Sequence, residues 1–132
     1  MIDVTQSVDD FDTFDADFIS LAIDGNNINL TIAKLGLNAS ILYPNRTDFI
    51  FIEKCLLIFV DCAKSKRTFR LYIDNQGKEE FGPLQEIEDS LPPIDDDGLV
   101  DFHLEGIQKN PNAYIGDWLI RCRRVMLSII SE

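Results

Sequence analysis

Histidine is nearly missing from this chain: His103 is the only one in 132 residues. It falls on the polar row of an alternating run, and no Gly-X-Ser-X-Gly turn accompanies it. A hydrolase triad of nucleophile, base and orienting acid therefore has no material, and His103 reads as a solvated strand residue. Cysteine is scarce too. Cys55, Cys62 and Cys122 are odd in number and form no CxxC pair, which excludes a disulfide framework and a thiolate zinc site and predicts three buried, reduced thiols. The seven glycines (25, 36, 77, 82, 98, 106, 116) sit at turns or strand ends, so no glycine-rich phosphate loop exists. Long apolar runs are also missing. The longest, Phe49 to Val60, is divided by Glu53-Lys54 and falls short of the ~20 residues that span a bilayer. The start, Met1-Ile2-Asp3-Val4-Thr5, lacks the basic and apolar regions of a secretory signal, so the Asn-X-Ser/Thr triplets at Asn38 and Asn45 read as chance and the chain is expected to be cytoplasmic.

Positive charge is the last shortage. Twelve Lys and Arg stand against 23 Asp and Glu, a net charge of −11. Phosphate recognition needs clustered bases, so nucleic acid and anionic membrane are excluded as partners. Such a charge favours solubility and fast encounter with a basic macromolecule. What the chain does have is apolar mass, 45% hydrophobic residues including nine Phe, which rules out disorder and suffices for one domain.

The apolar residues keep a period of two. Ile19, Leu21 and Ile23 alternate up to Asp24-Gly25-Asn26-Asn27, and Ile28, Leu30 and Ile32 alternate beyond it, a hairpin signal. Leu37, Ala39, Ile41 and Tyr43 predict a third strand. Cys55 to Cys62 reads as a central strand buried on both faces, and Lys64-Ser65-Lys66 as a turn before the arm Phe69-Leu71-Ile73. Val100, Phe102 and Leu104 predict a strand, and a break at residues 108–112 precedes another with Trp118, Ile120 and Cys122 as its apolar row. That row slips to Val125, Leu127 and Ile129 past Arg124, as at a β-bulge. The expected fold is all-β, or β-rich with one short helix: an antiparallel β-sandwich or partly open barrel of seven to nine strands. Residues 1–17, with six acids and no base, read as an acidic lead-in. Residues 18–132 form a single β domain, with a long loop at 74–98 broken by Pro83, Pro92 and Pro93 and holding at most two helical turns around Leu84 to Leu91.

Between Glu79 and Glu105 ten acids occur with no Lys or Arg, whereas bases outnumber acids in 18–78. Asp95-Asp96-Asp97-Gly98 fails as a calcium loop, because Pro93 and Leu104 would occupy positions that need carboxylates. Paired carboxylates of the glycosidase kind lack an aromatic sugar platform in that window. The chain is therefore expected to be no enzyme and to need no cofactor or metal. The window is expected to act as a partner-binding surface, with Glu79, Glu80, Glu86, Glu88, Asp89, Asp95, Asp96, Asp97, Asp101 and Glu105 facing a basic protein. Arg121, Arg123 and Arg124 are the alternative surface, for an acidic partner.

The layout of a small, acidic, cysteine-poor domain resembles the bacterial immunity proteins of polymorphic toxin systems, those of contact-dependent inhibition and type VI secretion. Asp101-Phe102-His103-Leu104-Glu105-Gly106 followed by Trp118-Leu119-Ile120-Arg121-Cys122 is similar to the closing hairpin of several small β-sandwich families of that kind. The resemblance covers about thirty residues and transfers no site. It implies a stoichiometric inhibitor of a toxin, such as a nuclease, acting by blocking its active site. Two other classes stay open: a small-ligand-binding β-barrel lined by Phe49, Phe51, Phe59 and Trp118, and a homo-oligomeric structural or adaptor protein. A monomer and a homodimer are both compatible with the sequence.

Overall fold

The computed structural model describes residues 1–109 and 111–132. Strands hold 65% of the chain and helical turns 5%, so the fold is all-β. Nine strands run in chain order: β1 (Ile2–Asp3), β2 (Asp17–Asp24), β3 (Asn27–Asn38), β4 (Phe49–Val60), β5 (Lys64–Asn75), β6 (Lys78–Glu88), β7 (Val100–Gln108), β8 (Ala113–Cys122) and β9 (Arg124–Ser131). They form one sheet in the order β1-β9-β4-β3-β2-β7-β8-β5-β6. Every pairing is antiparallel except β2–β7, which is parallel and involves only Asp17↔Ile107 and Phe18↔Gln108. The sheet thus consists of two antiparallel halves, β1-β9-β4-β3-β2 and β7-β8-β5-β6, joined by that narrow seam.

A second junction links the halves. β4 pairs with β9 and β5 pairs with β8, while β4 runs into β5 and β8 into β9 with only a few residues between. One long ribbon therefore bends from the first half to the second, at residues 61–63 on one side and Arg123 on the other. Asp61 takes φ of 59° there, and Arg123 N donates to Val60 O at 3.0 Å across the bend. The register slip expected near Arg124 is this change of partner strands. Lys64-Ser65-Lys66, expected to be a turn, already belongs to β5; the turn lies just before it.

The two halves enclose a single core with Trp118, Phe59, Phe102, Ile28, Leu30 and Ile32 among its largest buried side chains. Ile115 and Trp118 both point inward because Gly116-Asp117 form a bulge: Thr68↔Asp117 is followed directly by Phe69↔Ile115. Trp118 Nε1–H donates to Ser65 Oγ (2.9 Å), and Ser65 Oγ–H donates to Asp89 Oδ2 (2.7 Å), so the polar end of the buried indole is satisfied. Phe18 meets the indole edge-on at 5.5 Å.

Four local expectations are corrected. Residues 1–17 are built into the domain: β1 extends the sheet beside β9, a 3-10 turn follows at Val8–Asp10, and Val4, Val8 and Ala16 enter the core. The third strand expected from Leu37 to Tyr43 is the end of β3 followed by a 3-10 turn over Ala39–Ile41, capped by Asn38 Oδ1 on Ser40 N. In β4, Cys55, Leu57 and Phe59 are buried while Leu56, Ile58 and Val60 are half-buried, so one face is core and the other surface. The expected loop 74–98 contains the whole of β6 and the end of β5, and only Gln76-Gly77 and residues 89–98 of it lie outside strands. Pro83 is tolerated because β6 pairs with β5 alone, and an edge strand has a side that needs no donor. The expected break at 108–112 separates β7 from β8; its Asn110 lies outside the described residues. Among the described residues, no helix is long and apolar enough to cross a membrane.

Candidate functional site

The two halves present outer faces of opposite character. On the first half, two cross-strand rows are uncharged from β2 to β9, Ala22–Asn29–Ile58–Met126 and Ser20–Thr31–Leu56–Ser128, and the first ends on Asp3 of β1. On the second half charges alternate. Glu86 of β6 meets Lys66 of β5 at 3.3 Å, and Asp101 of β7 accepts from Arg121 of β8 at 2.7 Å, which holds its carboxyl below the usual carboxylate range. The charge segregated along the sequence is therefore partly neutralised in space, because antiparallel pairing sets acidic β6 against basic β5.

The ten expected partner-binding acids do not form one patch. Asp89 is largely buried, pairs with Arg67 at 3.2 Å, and serves the polar network beneath Trp118. Glu86 and Glu88 lie opposite Thr68 and Lys66 along β6. Asp95, Asp96 and Asp97 are exposed at the start of β7, where Arg123 donates to the backbone carbonyls of Asp97 (2.6 Å) and Asp95 (3.4 Å). Asp101 stands beside them. Glu79 and Glu80 flank the β5–β6 turn, and Glu105 lies toward the far end of β7. Among the described residues, no three His, Cys, Asp or Glu side chains converge as metal ligands. His103 Nδ1 lies 2.9 Å from Asp117 Oδ1 on the exposed face, and the hollow beside them is also lined by Leu104, Glu105 and Gly116.

One cluster on this face was not read from the sequence. Tyr72 and Phe81 are direct cross-strand partners with ring centroids 5.0 Å apart, Phe81 lies 6.2 Å from Tyr114, and Tyr114 lies 6.3 Å from Phe14. Phe81 is 56% exposed and Phe14 54%. A bulge makes this possible. Arg70↔Leu84 is followed by Tyr72↔Phe81, so Gly82-Pro83 oppose Leu71 alone and both Phe81 and Leu84 reach the outer face. A Cβ on Gly82 would lie 2.9 Å from Ile73 Cδ1, so that exposed side chain would have to turn aside. Tyr114 is oriented by its hydroxyl, which donates to Glu105 Oε2 at 2.7 Å and thereby raises the phenol pKa. Phe14 is set by Asp12, whose Oδ1 accepts its backbone N–H at 3.1 Å.

The rings surround a hollow of about 340 Å³ lined by Phe14, Asp15, Tyr72, Phe81, Ile107 and Tyr114. Tyr72 is shared with an adjoining hollow that adds Asp74 and Glu79. An aromatic platform therefore does accompany the acidic window, contrary to expectation. Its sign in the sequence is Tyr72 on the charged row Arg70-Tyr72-Asp74. No family model, curated protein or solved structure matches the chain. What the structure presents is a partly exposed aromatic cluster bordered by carboxylates.

The aromatics expected to line a barrel cavity are separated. Phe59 and Trp118 fill the core, while Phe49 and Phe51 lie outside, edge to face at 5.4 Å, covering Gly36.

Proposed function

We propose that this chain is a non-enzymatic protein-binding inhibitor that docks on a basic partner through the outer face of β7-β8-β5-β6. In its most specific form, the partner is a toxin domain and the chain its cytoplasmic immunity protein. The observation that carries the reading is the solvent-facing cluster of Phe14, Tyr72, Phe81 and Tyr114, bordered by Asp15, Asp74, Glu79 and Glu105. Interface centres are enriched in exposed aromatics fixed in place, and complementary rim charge speeds encounter and rejects wrong partners. Among the described residues Asp15, Asp74 and Glu79 hold no ion pair, so their charge is available to a partner. The toxin-directed form rests on the overall layout and on the acidic surface, which suits a nuclease whose site is built to hold phosphates. Native mass spectrometry of the chain isolated from its source tests the reading: a stoichiometric complex with a basic protein is expected. A bound small molecule, or the chain alone, contradicts it.

A second reading, a homodimer, is favoured by the two uncharged rows on the other half. Two copies at −11 repel each other except where neither presents charge. Sedimentation at low salt separates the cases. A dimer dispersed by Ile58→Lys supports it, and a monomer excludes it.

A further inference from the structure

We infer that the hollow between Tyr72, Phe81, Tyr114 and Phe14 is a receptor for a single guanidinium group, the arginine side chain of a protein partner. The inference rests on the protein-binding reading only for the source of the cation. Three features of the site argue for it independently. Ring faces attract cations through their quadrupole, and here Tyr72, Phe81 and Tyr114 meet at mutual angles of 37° and 61°, the walls of an open cage and not a closed stack. The floor is apolar, from Ile107, which strips water from a charge entering the hollow. Carboxylates stand at the rim: Asp15 in the lining, Glu105 hydrogen-bonded to Tyr114, and Asp74 and Glu79 past Tyr72.

The electrostatics of the bare face point the same way. Asp74 and Glu79 are direct cross-strand partners, and like charges in that position repel. A cation seated beside them relieves the repulsion. Arg70, the base on the same outer row of β5, is turned aside: its Nη1 donates to Gly82 O at 3.1 Å, while Lys78, next to Glu79 at the β5–β6 turn, stands opposite Asn75 and forms no ion pair among the described residues. Arginine fits better than lysine, because a planar guanidinium stacks on rings while its five donors reach carboxylates on more than one side. The walls are pre-set. Glu105 holds the Tyr114 hydroxyl, Asp12 holds the backbone at Phe14, and the Gly82-Pro83 bulge aims Phe81 outward, so part of the ordering cost of binding is already met.

The test titrates N-acetyl-arginine amide into the isotope-labelled full chain and follows the aromatic ring signals, with N-acetyl-citrulline amide as the uncharged analogue. The ring signals of Tyr72, Phe81 and Tyr114 are expected to shift saturably with arginine, less with citrulline, and less at high salt. Phe81→Leu keeps an apolar side chain at an exposed position without the π face, and is expected to weaken arginine binding about two- to fivefold. Equal shifts with citrulline, no saturable shift, or an unchanged affinity in Phe81→Leu would overturn the inference. The two proposals fail separately. Saturable arginine binding in a chain without a basic partner overturns the inhibitor reading and leaves the receptor. A basic partner that binds Phe81→Leu and the parent chain equally overturns the receptor and leaves the inhibitor.

Discussion

Asp74 stands directly opposite Glu79 across the β5–β6 ladder, two carboxylates in register beside the Tyr72–Phe81 pair. Direct like-charge opposition costs ~0.2–1 kcal/mol, and a sheet with no use for it would place a lysine at one position. Glu79→Lys is therefore expected to raise the urea midpoint by that energy at unchanged slope, while weakening association with a basic partner. A midpoint that falls or stays fixed would show that the two carboxylates do not repel in the free chain.

The polar network beneath the indole predicts an asymmetry. Ser65→Ala leaves the Trp118 N–H and one Asp89 oxygen without their partner in the interior, and should cost ~1–3 kcal/mol. Trp118→Ala leaves a large cavity among Phe18, Phe102 and Leu104 and should cost ~3–5 kcal/mol. Denaturant unfolding of both variants reads these directly. A Ser65→Ala midpoint equal to that of the parent would mean that water takes over the hydroxyl's role.

The thiols should be silent until the chain unfolds. Burial pushes the Cys55 thiol up to about 12, and Cys122 is raised by the neighbouring Cys62 thiol and by burial. A raised thiol pKa leaves little thiolate at ordinary pH, so native protein should react negligibly with a disulfide reagent near pH ~8. Freshly purified protein denatured without reductant should then titrate three thiols. A count of one would mean that two of the three are joined.

The loop acids should affect rate more than affinity. Replacing Asp95, Asp96 and Asp97 together by Asn keeps the backbone carbonyls that Arg123 holds, so the thermal midpoint should stay nearly unchanged. The triplet lies at the start of β7, whereas the aromatic hollow lies at its end beside Ile107. Neutralising it should slow association and flatten its salt dependence, with dissociation little altered. Dissociation at least ten times faster in the triple variant would place the interface centre on the loop.

Acid should loosen the β7–β8 pairing. The Arg121 guanidinium beside Asp101 holds that carboxyl below its ordinary value, with smaller help from His103 and Lys64. A carboxyl depressed on folding stabilises the fold above its ordinary range, and this contribution is lost as pH falls through the folded value. The pair is exposed, so the effect is small. Carboxyl NMR titration should place Asp101 below the ordinary aspartate value, and Arg121→Gln should remove most of that depression.

Strand identity was legible wherever alternation was unbroken, as in Ile28-Leu30-Ile32, Phe69-Leu71-Ile73 and Phe102-Leu104. It was lost where a bulge changed the phase. Gly82-Pro83 breaks the alternation of β6, so a run with a proline and helix-like spacing at Leu84, Ile87 and Leu91 resembled a loop with a helical turn. Lys34, at φ of 63°, likewise interrupts β3, which continues to Asn38. The acidic window was visible in composition. Its neutralisation by Lys66, Arg67 and Arg121 was not, because these come from β5 and β8, and only the strand order brings them alongside. The aromatic cluster draws on Phe14, Tyr72, Phe81 and Tyr114, four segments whose meeting depends on topology.

The most direct test of the binding face is photo-crosslinking in the source cells, with p-benzoylphenylalanine placed at position 81, at 96 or at 58. Binding through the aromatic hollow predicts one basic protein crosslinked in high yield from position 81, weakly from 96 and not from 58. An acidic or self-crosslinked product from 81, or a heterologous partner captured from 58 but not from 81, would contradict it.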